Sequence, residues 1–306
     1  MMVKAAAYLM FMAALAFAQD AGSVPTFRSD VSLVKVDVQV TTDTGMNIGD
    51  LQQGDFVVYD EAQREQVLHF GSEHEPMSML LLLDVSASMT KSLSAIASVT
   101  RQALSQLHPG DKVALMVFSE RTKLVEPYTT DFARIREQIV DSIYKRMTGE
   151  GTVLNESILE AAGYAKANAP AGRKAIVVVT DNQSLRFGAS DEDVLRAVDT
   201  TGATLNAILV GAPQQPIRQA RYANPSVTTP DVHAFARRTG GEAMDSSDVG
   251  ASFQRIVERI RTRYTLDYAP PASESGAYRH IRVELSPEAR QKYPGAIVQA
   301  RTGYYK

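Results

Sequence analysis

Met79-Leu80-Leu81-Leu82-Leu83-Asp84-Val85-Ser86-Ala87-Ser88 decides the fold. Its apolar opening is too short for a helix and gives way at once to small polar residues, so it reads as a strand buried on both faces. Such strands belong to parallel sheets covered by helices. An Asp and two serines close it at i, i+2 and i+4. In open α/β sheets the carboxyl ends of central strands line the crevice where ligands bind, and one carboxylate with two hydroxyls suits a hard cation. Asp and Ser are also common in turns and caps, so this stretch alone serves equally as a capped helix start.

Two further stretches shift the balance. Gly149-Glu150-Gly151-Thr152 precedes a helical pattern from Val153 to Ala169, which puts the Thr hydroxyl on a glycine-flanked loop able to approach a metal closely. Ile176-Val177-Val178-Val179-Thr180-Asp181-Asn182 is a second apolar strand ending in an Asp. Together the three pieces resemble the metal-ion-dependent adhesion site of the von Willebrand factor type A domain. The resemblance implies that Asp84, Ser86, Ser88, Thr152 and Asp181 coordinate the metal, matching all five of that family's positions. Asn182 stands where a Gly often follows the last Asp, a departure that supplies no ligand and removes none. The implied cofactor is Mg²⁺, with Mn²⁺ or Ca²⁺ as alternatives. Mg²⁺ takes six oxygens at about 2.0 to 2.1 Å and gives up water reluctantly. Two carboxylates and three hydroxyls leave a position for an incoming oxygen, and an outside Asp or Glu completes the shell, as this family does when it grips protein ligands.

The 306 residues are 44% hydrophobic and 22% charged with a formal net charge of -3, an ordinary globular balance that by length points to about two domains. No strongly basic face exists to recruit nucleic acid, and the arginines from Arg259 to Arg263 read as solvated helix surface. Cysteine is absent, which excludes disulfides and sulfur-ligated metals. Lys4, the apolar run Ala5 to Ala18 and the small-x-small Ala16-Phe17-Ala18 form a secretory signal over residues 1–18, too short to span a bilayer comfortably. The expected location is therefore secreted or periplasmic, without stable membrane insertion after cleavage.

Short alternating segments flank the centre. Val34, Val36, Val38 and Val40 share one face of a strand whose other face carries Lys35, Asp37 and Gln39, the pattern of a half-buried strand. Phe56 to Tyr59 and Gln66 to Phe70 follow, and Tyr264 to Tyr268, Tyr278 to Leu285 and Ala296 to Arg301 form a matching set at the tail. About forty residues of short strands make a poor core alone, so the flanks are expected to pair into one small β-sandwich; two separate flaps are the alternative. Val34 to Val38, Asp55 to Tyr59, Tyr264 to Tyr268 and Arg301-Thr302-Gly303-Tyr304-Tyr305 resemble the secreted von Willebrand factor A-related family described mainly from acidobacteria.

Between the flanks, strand and helix patterns alternate as a doubly wound fold requires. Helices are expected over Ser92 to Leu107, Phe132 to Ile143, Val153 to Ala169, Asp191 to Thr200 and Phe253 to Ile260, with strands over Lys112 to Phe118, Ile176 to Thr180 and Leu205 to Val210. The fold class is thus α/β, a mostly parallel sheet flanked by helices, with a β-sandwich-like region from both ends. The expected boundaries are a signal over 1–18, β regions over 19–75 and 263–306, and the central domain over 76–262. The long loop from Gly211 to Pro230 offers Arg218, Arg221 and Tyr222 to a partner or is simply solvated.

Catalytic motifs find little support. Ser88-Met89-Thr90-Lys91 fits S-x-x-K but has no S-D-N companion. Glu73-His74-Glu75 reads as an exposed linker, and no His shows H-E-x-x-H spacing. The resulting expectation is a non-enzymatic, secreted module that captures an acidic side chain of a protein partner through its cation. The alternative is an envelope scaffold or assembly protein whose metal is structural and whose β flanks make the contacts.

Overall fold

The apolar run lies within a strand, Met77–Asp84, every residue of which is buried. Burying the five apolar side chains from Met79 to Leu83 contributes on the order of 10 kcal/mol before chain entropy is charged against it. The computed structural model describes residues 33–71, 75–90, 92–93, 96–97, 104–105, 107–145, 152–182, 188–211, 230–272 and 276–306. The expected signal, Glu73-His74, Gly149 to Gly151, and most of the loop from Gly211 to Pro230, including Arg218, Arg221 and Tyr222, lie outside the described residues.

The strands are β1 (Val34–Thr41), β2 (Phe56–Asp60), β3 (Gln63–Glu65), β4 (Val67–Gly71), β5 (Met77–Asp84), β6 (Lys112–Phe118), β7 (Thr122–Thr129), β8 (Arg173–Thr180), β9 (Thr204–Val210), β10 (Ala243–Ser246), β11 (Tyr264–Tyr268), β12 (Tyr278–Leu285), β13 (Ile297–Gln299) and β14 (Gly303–Tyr305). The helices are α1 (Phe132–Lys145), α2 (Leu154–Asn168), α3 (Asp191–Thr201), α4 (Val232–Thr239), α5 (Val249–Arg261) and α6 (Pro287–Lys292). Of the helix expected from Ser92, residues 92, 93, 96, 97 and 104 are described and helical.

The central sheet runs β10-β9-β8-β5-β6-β7, parallel except for the antiparallel edge strand β7. Alternation along β5 splits its side chains between two cores. Met79, Leu81 and Leu83 pack with Leu93, Ile96, Ile135 and Ile139, and with Phe253 and Ile256 of α5. Leu80 and Leu82 pack with α2 through Ile158, α3 through Val194 and α4 through Phe235. This is the doubly wound α/β architecture that the sequence predicts.

Both flanks contribute strands to two antiparallel sheets, β13-β1-β11-β4 and β14-β12-β2-β3. Val36, Val38, Phe56, Val58, Leu266, Tyr268, Ile281 and Leu285 share one core between them. The strand expected over Gln66 to Phe70 is β4, and the short β3 just before it belongs to the other sheet, so the chain crosses from one sheet to the other at Gln66. β4 and β11 are paired neighbours, with Gly71 opposite Thr265. The entire α/β domain is therefore an insertion at the tip of a β-hairpin.

The polar face of β1 is not the solvated face that its alternation implies. Asp37 and Gln39 are buried, because the base of the α/β domain covers them. Arg173, at the start of β8, is fully buried there. It donates to the carbonyls of Ile260, Arg261 and Arg263 at 3.0, 2.7 and 2.7 Å, and its Nε lies 3.7 Å from Asp37 Oδ1. Glu75 likewise is not a bare linker residue: it pairs with Lys35 at 2.5 Å and receives the Thr265 hydroxyl at 3.1 Å. At the other end of the junction, Arg301 reaches Asp199 of α3 at 2.9 Å.

Candidate metal centre

β5 and β8 are adjacent and parallel, with Leu83 opposite Val179, so their terminal residues Asp84 and Thr180 share one edge of the sheet. Asp84 is fully buried. Its Oδ1 accepts the Ser86 backbone N–H at 2.9 Å, and its Oδ2 accepts the Thr180 hydroxyl at 2.7 Å. The first bond curls the chain just past the strand, and Ser86 Oγ then lies 3.2 Å from Ser88 Oγ. Burial, as the largest effect, pushes the Asp84 carboxyl up to about 6. The bonds from Ser86 and Thr180 pull it down, and the charge of Asp181 pushes it further up.

Thr152 reaches this edge by another route. On the far side of β5, Phe118 at the end of β6 is opposite Asp84 and its carbonyl accepts the Val85 N–H at 2.9 Å. The next carbonyl, of Ser119, accepts the N–H of Val153 at 2.9 Å, tying the residue after Thr152 to the same place just before α2 begins. Asp181 follows Thr180 directly. Asn182 then turns the chain with φ +56°, a left-handed conformation that Asn tolerates better than other non-glycine residues. Its backbone N–H donates to Thr180 Oγ1 at 3.0 Å and its Nδ2 to the Pro230 carbonyl at 3.3 Å. The departure from Gly at 182 therefore costs little, and it moors the end of the long loop beside the site.

All five residues thus belong to segments converging on one end of the parallel strands. Exposure rises outward: Asp84 and Ser86 are buried, Thr152 and Asp181 half-buried, and Ser88 exposed. Two residues escape the sequence reading, Thr180 and Ser119. Each sits at a strand end, but its role depends on cross-strand register, which no local spacing reveals.

The chemistry of this set fits a hard, partly hydrated cation, with charge from Asp84 and Asp181 and neutral oxygens from Ser86, Ser88 and Thr152. Nine buried side-chain polar atoms among the described residues have no hydrogen-bond partner. Four of them, Ser119 Oγ, Asn155 Oδ1, Glu156 Oε2 and Asn182 Oδ1, belong to residues bordering this edge. Buried polar atoms are nearly always satisfied, so this concentration marks the place where a hydrated ion would supply partners. Among the described residues no three His, Cys, Asp or Glu side chains gather, and no helix is long and apolar enough to cross a membrane.

A doubly wound domain with hydroxyls and carboxylates at the carboxyl ends of its strands defines a class of ligand-binding folds. Within that class one family is matched: residues 79–183, about a third of the chain, match the family model of the von Willebrand factor type A domain. No curated protein matches the chain in sequence. Among solved structures it is similar to a serine-substituted form of an aerotolerance-related membrane protein from Bacteroides fragilis, at 22% identity and TM-score 0.48, over 60% of this chain and 98% of that one. BatB from Bacteroides thetaiotaomicron aligns at 21% identity and TM-score 0.45 over 60% and 97%. A von Willebrand factor type A protein from Catenulispora acidiphila aligns at 11% identity and TM-score 0.45, over 91% of this chain and 75% of that one.

Proposed function

We propose that the protein is an exported, non-enzymatic binding module that uses a divalent cation, Mg²⁺ or alternatively Mn²⁺ or Ca²⁺, to capture an Asp or Glu carboxylate of a protein partner. The observation that carries this reading is the exposure gradient across the five residues, from buried Asp84 and Ser86 to exposed Ser88. An ion seated among them is anchored from below and open above. Asp84, Ser86, Ser88, Thr152 and Asp181 hold the ion, which when bound presents positive charge to an incoming acidic side chain. Export is supported by Lys4 and the apolar run ending at Ala16-Phe17-Ala18.

The test is isothermal titration of Mg²⁺ and Mn²⁺ into chelated protein spanning residues 19–306, beside Asp84→Ala, followed by capture of partners from the native envelope with and without EDTA. Saturable binding lost in the variant, with a partner released by EDTA, is the expected result. Capture that survives both EDTA and Asp181→Ala instead assigns the contacts to the β flanks and the role to a scaffold.

A further inference from the structure

Ser119 stands one residue past β6, beside the candidate centre. Its predecessor Phe118 is opposite Asp84 and bonded to Val85, and its own carbonyl holds Val153, so Ser119 lies between the turn carrying Ser86 and the segment carrying Thr152. Its N–H is engaged too, donating to the Arg121 carbonyl at 3.2 Å. With both main-chain groups committed, only the side chain is free. Ser119 Oγ is fully buried and has no partner among the described residues. That is unusual for a hydroxyl, which can rotate to suit any neighbour. The other unpartnered atoms at this edge differ: Asn155 and Glu156 each use a second polar atom on Ala189, and Asn182 uses its Nδ2 on Pro230. In Ser119 the only polar side-chain atom stands idle.

We infer that Ser119 is a positioning residue of the cation site, its hydroxyl reserved for the ion's hydration shell. The inference rests on the cation reading above. A divalent ion such as Mg²⁺ keeps several waters, and these turn their hydrogens outward, where they need acceptors. Ser119 Oγ is an uncommitted acceptor fixed by its own main chain to both halves of the ligand set. Outer groups of this kind are commonly worth 10- to 100-fold in metal affinity.

The test is Ser119→Ala in chelated protein spanning residues 19–306, read by Mg²⁺ titration calorimetry and by thermal melting without metal. The expected result is a Kd about tenfold weaker with a metal-free melting midpoint unchanged or raised, because the alanine removes a buried group that has no partner. A wild-type Kd retained by the variant overturns the inference and leaves the cation reading standing. Wild-type protein that binds no Mg²⁺ overturns both. A metal-free midpoint lowered by several degrees makes Ser119 structural and overturns the inference as well.

Discussion

Thr180 donates its hydroxyl hydrogen to Asp84 over 2.7 Å, across the seam between β8 and β5, and the same oxygen receives the Asn182 N–H at 3.0 Å. One buried hydroxyl thus fixes the carboxylate of the first strand and the turn that carries the second. Thr180→Val keeps the shape and deletes both bonds. Leaving buried groups unpaired costs about 1–3 kcal/mol, so urea unfolding is expected to show a loss of that size. Mg²⁺ affinity is expected to fall alongside it, whereas Ser88→Ala, on the exposed rim, reduces affinity with no measurable change in stability.

Asp84→Asn is expected to move stability and binding in opposite directions. The carboxylate is fully buried near the charge of Asp181, and both features disfavour its ionised form. A neutral amide of the same shape relieves them and still accepts the Ser86 N–H, while its NH2 turns toward Thr180, whose hydroxyl loses its acceptor. Relieving about two pKa units at 1.36 kcal/mol each stabilises metal-free protein at neutral pH by about 3 kcal/mol. The lost Thr180 bond offsets about 1 kcal/mol or more of this, so a net gain of about 1–2 kcal/mol is expected while ion binding disappears. Calorimetric melting with and without EDTA reads both changes. A variant less stable than wild type in EDTA would make Asp84 a structural carboxylate.

What could be read from the sequence was what is local. Asp84, Ser86 and Ser88 are legible because two-residue spacing follows a buried run, and Asp181 because it ends a second run. Thr180 and Ser119 were not singled out, since a Thr or Ser at a strand end is ordinary until its neighbour across the sheet is known. Alternation in β1 correctly assigns Val34 to Val40 to a core, yet it cannot tell water from a second domain on the face of Asp37. The helices α4 and α6 carry no legible periodic pattern, although Asp231 and Ser286 cap them. Both are short, at 8 and 6 residues, so packing outweighs any periodic signal. β7 is not legible in the sequence because Pro127 and two irregularities of register interrupt its pattern.

The junction below the sheet depends on Arg173. Replacing it with Met leaves the Ile260, Arg261 and Arg263 carbonyls without that donor and Asp37 without its nearest cation. Removing one partner of a buried pair costs about 3–5 kcal/mol, and urea unfolding is expected to show a loss in that range. Asp37→Asn should cost less, because an amide oxygen can still accept the Thr265 hydroxyl, now 2.8 Å from Asp37 Oδ1. A double variant no worse than Arg173→Met alone would confirm that the two side chains act as a pair.

Arg121 gives the rim a cation. It is exposed on the turn between β6 and β7, which the Ser119 carbonyl ties to the Thr152 segment. In the adhesion reading, an acidic partner meets this guanidinium outside the ion itself. Arg121→Glu is therefore expected to leave the Mg²⁺ Kd unchanged within about twofold while slowing association of an acidic partner, most of all at low salt. Titration calorimetry and surface-binding kinetics at two ionic strengths separate the two effects. An association rate insensitive to the charge reversal would place the partner elsewhere.

Because β4 and β11 are neighbours, the α/β domain should be removable as a loop is. Phe70 is opposite Leu266 and Gly71 opposite Thr265, so the chain leaves and re-enters the sandwich side by side. Joining these strands with a short glycine-containing turn in place of residues 72–263 keeps β1 to β4 and β11 to β14, with the core of Val36, Val38, Val58, Leu266 and Ile281 intact. The face of β1 uncovered by the deletion carries Lys35, Asp37 and Gln39. It is polar, so its exposure invites water rather than aggregation. The shortened protein is expected to be soluble, to give a β-rich circular dichroism spectrum with cooperative unfolding, and to bind no Mg²⁺. An unfolded product would mean that Arg173 and the base of the α/β domain are needed to form the sandwich, making the two halves one folding unit.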